Sequence, residues 1–147
     1  MTLPFSLAGR TALITGASSG LGAHFARLFA KAGANIVLGA RRADKVAALA
    51  AELTAAGTGA LAISLDVTDE ASLKAAYDAA EARFGTVDTI IANAGTSAAG
   101  RSTEISDADV RMVTDTNFIG VYLTAREGAR RLIAAGSRET SKGRIIL

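Results

Sequence analysis

The chain has 147 residues, the length of one domain and enough to bury roughly 70% of the surface that an unfolded chain exposes. Half of the residues are hydrophobic and only 5% are aromatic, which excludes a disordered chain. The formal net charge is +2 and no basic run is interleaved with aromatics, so nucleic acid is not expected as a partner.

Cysteine is absent from the sequence, which excludes disulfides, thiolate zinc ligands and a cysteine nucleophile. The stretch Met1–Gly9 lacks the basic start of a signal peptide. No apolar run approaches the roughly 20 residues that cross a bilayer. We therefore expect a cytoplasmic protein without a membrane partner.

Short apolar runs alternate with longer helical patterns along the chain. The apolar runs lack polar alternation, which is typical of parallel strands that are covered on both faces. Glycines at the helix ends suit left-handed C-terminal caps. The pattern predicts an α/β fold, a doubly wound parallel sheet with helices on both faces. The predicted strands are Thr11–Thr15, Asn35–Ala40, Ala60–Leu65, Val87–Ala92 and Arg144–Leu147; the helices lie near residues 20–32, 43–56, 69–84 and 106–135, and their terminal glycines are Gly33, Gly57, Gly85 and Gly136.

Two helix starts also carry polar signals. Ser106 with Asp109 is similar to a capping box that uses the shorter acid. Asp69 and Glu70 place negative charge at the positive end of the third helix.

The first strand leads directly into the glycine-rich stretch TGASSGLG, Thr15 to Gly22. Glycines at such a turn clear side chains from the path of a pyrophosphate, and the N-terminus of the following helix adds partial positive charge. Serine hydroxyls there suit hydrogen bonds to ribose or phosphate better than a nucleophilic role, because no activating base lies nearby. A tight turn without a ligand is the alternative interpretation. The candidate cofactor residues are Gly16, Ser18, Ser19, Gly20, Leu21 and Gly22.

Two arginines follow the second strand, in the stretch LGARRAD. An enzyme that selects NAD commonly has an acid there for the ribose 2′-hydroxyl. Arg41 and Arg42 stand at that point, and a guanidinium matches a 2′-phosphate. NADP(H) is therefore favoured over NAD(H), although a solvated helix start with two incidental arginines is the alternative.

Polar residues also follow the third and fourth strands. Asp66 and Val67 come after the third strand, Asn93-Ala94-Gly95 after the fourth, and Asn117 lies within the last helical pattern. The carboxyl ends of parallel strands form the rim at which open α/β sheets bind ligands. Three alternatives remain open: Asp66 as a helix cap, Asn93 as a turn former bonded to local backbone, and Asn117 as a satisfied core amide.

These motifs together resemble those of the short-chain dehydrogenase/reductase family, which implies a Rossmann-like fold. Thr15–Gly22 is similar to its T-G-x-x-x-G-x-G cofactor loop. The resemblance implies that Asp66, followed by Val67, contacts the adenine amino group. It further implies that Asn93–Gly95 supports the sheet and borders the cofactor ribose, and that Asn117 interrupts the long helix and joins a proton relay. The implied chemistry is hydride transfer between NADP(H) and a small alcohol or ketone.

The family's Tyr-x-x-x-Lys pair does not occur in the chain. Four residues after Tyr77 stands Glu81, and four after Tyr122 stands Arg126. We interpret Tyr122 as a packing or subunit-interface residue. Arg144–Leu147 resembles the family's fifth strand, so we expect the chain to be a domain that is incomplete at its C-terminus, with Ser, Tyr and Lys downstream.

The sequence also gives expectations about metal binding, oligomeric state and an alternative function. The only histidine, His24, has no acid or cysteine at ligand spacing, so no metal site is expected. The resemblance implies a homo-oligomer, a dimer or tetramer, paired through the helix predicted at 106–135. A non-catalytic dinucleotide-binding module or partner subunit is the alternative function, while the lack of Gly-Lys-Ser/Thr argues against a P-loop nucleotidase.

Overall fold

The computed structural model of the protein describes residues 5–147; the first four residues of the N-terminal stretch lie outside the described residues. Five parallel strands form a sheet in the order β3-β2-β1-β4-β5. The strands are β1 (Thr11–Thr15), β2 (Asn35–Ala40), β3 (Ala60–Ser64), β4 (Thr89–Ile91) and β5 (Arg144–Ile146). The α-helices are α1 (Gly20–Lys31), α2 (Ala43–Ala55), α3 (Glu70–Phe84), α4 (Asp107–Thr114), α5 (Val121–Ala134) and α6 (Ser137–Thr140).

The strands are apolar because alternate residues enter two different cores. Ile14 of β1 packs with α1 and α2 on one face, whereas the adjacent Leu13 packs with α3 and α5 on the other. Every residue of β1 is buried. The prediction of a parallel sheet with helices on both faces is confirmed, and it follows from central strands, β1, β2 and β4, that are buried on both sides.

The local signals at the helix ends are confirmed as well. The four glycines predicted as C-terminal caps all have positive φ, between 77° and 96°. The Ser106 hydroxyl accepts the amide of Asp109 at 3.1 Å and so caps α4. It also donates to the Asp109 carboxylate, whereas in a capping box that carboxylate would accept the Ser106 backbone amide. Asp69 caps α3 through the amide of Ala71 at 2.9 Å.

The helix predicted across 106–135 is not continuous. A π-helical turn, Asp115–Gly120, separates α4 from α5, so the interruption that the resemblance implied at Asn117 is one extra residue per turn. Three predicted strands also end one residue early, at Ser64 in β3, Ile91 in β4 and Ile146 in β5, and β4 begins at Thr89, two residues after its predicted start. Leu65 and Ala92, directly after β3 and β4, still donate backbone hydrogen bonds to Ala40 and Ile146, and the residues that follow form the rim of the sheet.

Helices α3 and α5 pack against each other on one face of the sheet and are joined by hydrogen bonds and ion pairs. The Tyr77 hydroxyl, fully buried, donates to the carbonyl of Thr124 at 3.0 Å, and burial raises the pKa of this phenol. Arg131 of α5 lies over the Tyr77 ring and binds carboxylates of Asp78, Glu81 and Glu127 at 2.6–2.8 Å. These contacts fix the orientation of α5 and of the π-helical turn before it. Between residues 5 and 147, no helix is both long and apolar enough to cross a bilayer.

Candidate functional site

A crevice of about 450 Å³ opens at the carboxyl rim of the sheet. It lies above β1 and its two neighbours, β2 and β4. After β1 the chain continues to β2 and β3 on one side, and it then returns to β4 and β5 on the other side. Ligands bind at such a switch point in open α/β sheets, because the diverging loops leave a gap there. The predicted residues that line the crevice are Gly16, Ser18, Ser19, Leu21, Arg41, Arg42, Asp66, Val67, Asn93, Ala94 and Gly95.

Glycine is required at two positions of the first turn by close backbone packing. A Cβ on Gly22 would lie 2.5 Å from the carbonyl oxygen of Gly16. A Cβ on Gly16 would lie 2.8 Å from the Cα of Ala94, and this residue has a φ of 68°. Gly20 has open space around it, but its φ of 55° also favours glycine. Gly20 and Gly22 therefore shape the turn and do not themselves line the crevice.

The β4 loop is tied to the end of β1 by side-chain bonds. Asn93 donates its amide to the carbonyl of Thr15 at 3.0 Å, and the Thr15 hydroxyl accepts the amide of Ala94 at 3.0 Å. The partners of these bonds are separated by more than 75 residues in the chain. The alternative of Asn93 as a turn former bonded to local backbone is therefore wrong, because its side chain joins two strand ends.

Arg42 bridges the glycine-rich turn and the end of β2. Its guanidinium donates to the Ser18 hydroxyl at 2.8 and 3.1 Å and to the Ser19 hydroxyl at 2.6 Å. Ser19 is the N-cap residue of α1, yet its side chain does not cap the helix, and the first turn of α1 contains no acid. The first amides of α1 and the Arg42 guanidinium thus form a positive corner of the crevice.

Asp66 forms a tight turn at the end of β3. Its carboxylate accepts both the amide and the hydroxyl of Thr68, at 3.0 and 2.8 Å. These hydrogen bonds lower the pKa of Asp66, and the positive charge of Arg41 acts in the same direction. The alternative of Asp66 as a helix cap is wrong, because Asp69 performs that role.

Asn117 lies in the π-helical turn and is exposed, so the alternative of a core amide is wrong. Its side-chain oxygen accepts the amide of Thr96 at 2.8 Å, and its amide group donates to the carbonyl of the same residue at 2.9 Å. Asn117 therefore binds the backbone of the β4 loop as a neighbouring strand would. It does not itself line the crevice, whereas the adjacent Thr116 does.

Sequence reasoning missed Ala40, Leu65 and Thr116 among the lining residues. Each directly precedes a predicted site residue, so the prediction identified the right stretches of the chain but not these three residues. Neither tyrosine lines the crevice: Tyr77 is buried under α5, and Tyr122 is 56% exposed with the Arg126 guanidinium 5.5 Å from its ring centre. Within residues 5–147, no group of three or more His, Cys, Asp or Glu side chains could hold a metal.

The sheet order and the crevice define a Rossmann-like α/β protein. The family model described as short chain dehydrogenase matches residues 10–147, and the chain belongs to this short-chain dehydrogenase/reductase family. It is 42% identical over 137 residues to cis-4-hydroxycyclohexanecarboxylate dehydrogenase of Sinomonas cyclohexanicum, covering 90% of this chain and 53% of that protein.

Solved structures give the same result. An alcohol dehydrogenase from the archaeon Thermococcus sibiricus, complexed with 5-hydroxy-NADP, is 34% identical with a TM-score of 0.81, covering 86% of this chain and 55% of that one. A 3-ketoacyl-(acyl-carrier-protein) reductase from Brucella melitensis, complexed with NADH, is 35% identical with a TM-score of 0.84, covering 90% and 54%. The chain spans about half the length of the relatives that it matches.

Proposed function

We propose that the whole protein carrying this chain is an NADP(H)-dependent oxidoreductase that transfers a hydride to or from a small alcohol or ketone. Residues 1–147 would be its dinucleotide-binding domain, with the Ser, Tyr and Lys of the family's site downstream of Leu147. The observation that carries the proposal is the positive corner of the crevice where α1 begins, which the first amides of α1 and the Arg42 guanidinium form.

The residues around this corner fit a dinucleotide. A Cβ at Gly16 or Gly22 would meet protein atoms of the turn and the β4 loop, so glycine lets these backbones pack together. This packing supports a pyrophosphate position against the backbone of the turn, of which Gly16 lines the crevice. The uncapped amides of α1 are suitable donors to its oxygens. When bound, NADP(H) would supply the hydride, and this chain's residues would hold and orient it.

The choice of NADP(H) over NAD(H) rests on Arg41 and Arg42. Both line the crevice after β2, where the ribose of a bound nucleotide would lie. The Arg42 guanidinium is already held by Ser18 and Ser19, so a 2′-phosphate would meet an oriented cation. Solved relatives have either NADP- or NAD-type nucleotides bound, so these arginines are what favours NADP(H).

The remaining site residues receive roles that follow the family. Asp66 and Val67 would border the adenine, since both line the crevice at the end of β3. Asn93–Gly95 would border the ribose from the β4 loop. Asn117 would take part in the proton relay from its place in the π-helical turn.

Turnover by the whole protein tests the proposal. Purified protein is given NADPH with a panel of small ketones, and NADP with the corresponding alcohols, while absorbance of the reduced nicotinamide is followed. We expect turnover that Gly16→Val abolishes, because the larger side chain fills the turn. If the whole protein binds NADPH but turns over none of the panel, and no Tyr-x-x-x-Lys follows residue 147, the non-catalytic dinucleotide-binding module is the correct function.

We also propose a cytoplasmic homo-oligomer, a dimer or tetramer, that pairs through the outer face of the π-helical turn and α5. Phe118, Tyr122 and Ile133 lie on this face and are 69%, 56% and 47% exposed. Apolar side chains exposed in one patch commonly mark an interface. Phe118→Asp should shift the whole protein toward monomer in sedimentation velocity, and an unchanged sedimentation coefficient contradicts the assignment.

A further inference from the structure

The π-helical turn contacts two loops of the crevice at once. On one side, Gly120 lies against Val67, which follows Asp66 at the end of β3. On the other side, Asn117 binds the backbone of Thr96 in the β4 loop. The six-residue turn Asp115–Gly120 therefore connects two strand ends that the sheet does not pair.

The contact at Gly120 leaves no room for a side chain. A Cβ there would lie 2.5 Å from Cγ2 and 3.1 Å from Cβ of Val67. Val67 is buried in a cluster with Leu65, Leu73 and Leu123, so it cannot swing away without opening that core. The helix would have to move instead. The buried Thr124 hydroxyl, which donates to the Gly120 carbonyl at 2.7 Å, ties this point to α5.

A displacement of Gly120 would also move Asn117, which lies three residues earlier in the same turn. Asn117 makes two hydrogen bonds of 2.8 and 2.9 Å with one residue, Thr96, and both require the side-chain amide in the plane of that backbone. A shift of the turn by several tenths of an ångström breaks this geometry. The β4 loop carries Asn93–Gly95, so its position depends on the same contact.

We propose that Gly120 is a positioning residue, whose missing side chain lets the π-helical turn lie on Val67 and so holds Asn117 against the β4 loop. It acts through Asn117 and touches neither the crevice nor a ligand. The glycine thereby sets the distance between the adenine side and the ribose side of the crevice, and this last statement rests on the proposed function.

Hydrogen exchange at the Thr96 amide tests the proposal directly, because this amide is bonded to Asn117. In the whole protein without cofactor, Gly120→Ala should speed its exchange by about tenfold or more, as Asn117→Ala should. Gly59→Ala is the matched control, since its Cβ would be equally crowded, by Asn35 and Phe84, but at the end of the sheet opposite to the crevice and the π-helical turn. That variant should lose stability and leave the exchange rate at Thr96 unchanged.

Rescue makes the test specific. Val67→Ala removes Cγ2, after which the nearest atom to a Cβ on residue 120 is the Val67 Cβ at 3.1 Å. Gly120→Ala in the Val67→Ala background should therefore return Thr96 exchange to within about threefold of Val67→Ala alone. This comparison holds even if the single Gly120→Ala variant does not fold. Equal exchange at Thr96 in wild type and Gly120→Ala, or no rescue in the double variant, overturns the proposal.

A second readout separates this proposal from the proposed function. If both are right, Gly120→Ala weakens NADPH binding several-fold in the wild-type background and less in the Val67→Ala background, whereas Gly59→Ala leaves it nearly unchanged. If the exchange result is as expected but wild type binds no dinucleotide, the positioning role stands and the proposed function fails.

Discussion

Removing the guanidinium of Arg42 should lower affinity for NADPH far more than affinity for NADH. In the structure this group is oriented by hydroxyls of Ser18 and Ser19 at 2.6–3.1 Å, so little conformational entropy remains to be lost on meeting a phosphate. A hydrogen bond to a charged group contributes about 1.5–3 kcal/mol. At about 1.4 kcal/mol per tenfold, Arg42→Ala should reduce NADPH affinity by about 10-fold to about 150-fold.

The assay is titration of the whole protein with NADPH and NADH, followed by fluorescence of the bound nicotinamide. Arg41→Ala is measured in parallel, because both arginines line the crevice. Lys45→Ala is the control: it removes the same charge from an exposed position in the first turn of α2, outside the crevice lining. The ratio of NADPH affinity to NADH affinity should also fall as salt is added, since exposed charges are screened within about 10 Å at 0.1 M ionic strength.

Either of two results would refute the reasoning. If Arg41→Ala and Arg42→Ala both keep the wild-type ratio of NADPH to NADH affinity, the arginines do not read a 2′-phosphate. If Lys45→Ala lowers the ratio equally, the effect is general electrostatics and not a contact.

Three further predictions concern stability. Gly22→Ala should cost about 1–3 kcal/mol of unfolding free energy and weaken cofactor binding, because the new Cβ lies 2.8 Å from the Asn93 amide nitrogen; urea denaturation measures the first. Arg131→Met should cost about 2–3 kcal/mol, since it leaves the half-buried Glu81 carboxylate without its 2.6 Å partner, and a melting temperature equal to wild type contradicts this. The lowered pKa of Asp66 means that its ionised form stabilises the fold above the unfolded value of about 3.9. That contribution disappears as the pH falls through the pKa of Asp66 in the folded protein. The difference in unfolding free energy between wild type and Asp66→Asn should therefore stay constant between pH about 5 and 8 and shrink at lower pH.

The fold was predictable because its signals are local. Continuous apolar runs such as Thr11–Thr15 can be satisfied only between two layers, and a glycine such as Gly85 ends a helix whatever surrounds it. The approximate location of the crevice followed from the strand ends alone. The periodicity predicted one helix over 106–135, and only the family resemblance implied an interruption at Asn117. That the interruption is a π-helical turn in contact with Val67, at the end of another strand, could not be predicted from local patterns.

The bonding partners of the site residues were beyond local reasoning. Asn93 is a common turn residue, and only the pairing of β1 with β4 gives it the Thr15 carbonyl as acceptor. The hydroxyl partners of Arg42 likewise come from a turn more than 20 residues earlier. Sequence spacing identified which residues reach the rim, whereas the tertiary pairing decides what each one touches.

The central place of β1 has a consequence for how the chain folds as it is made. Its partner on one side, β2, is soon synthesised, but Ala12 pairs with Thr89 on the other side, 89 − 12 = 77 residues later. At ribosomal rates of about 5–20 residues per second, one edge of β1 waits about 4–15 s for β4. During that interval the growing polypeptide has a bare strand edge that a chaperone would be expected to shield, and the nucleotide site is among the last parts of this region to close.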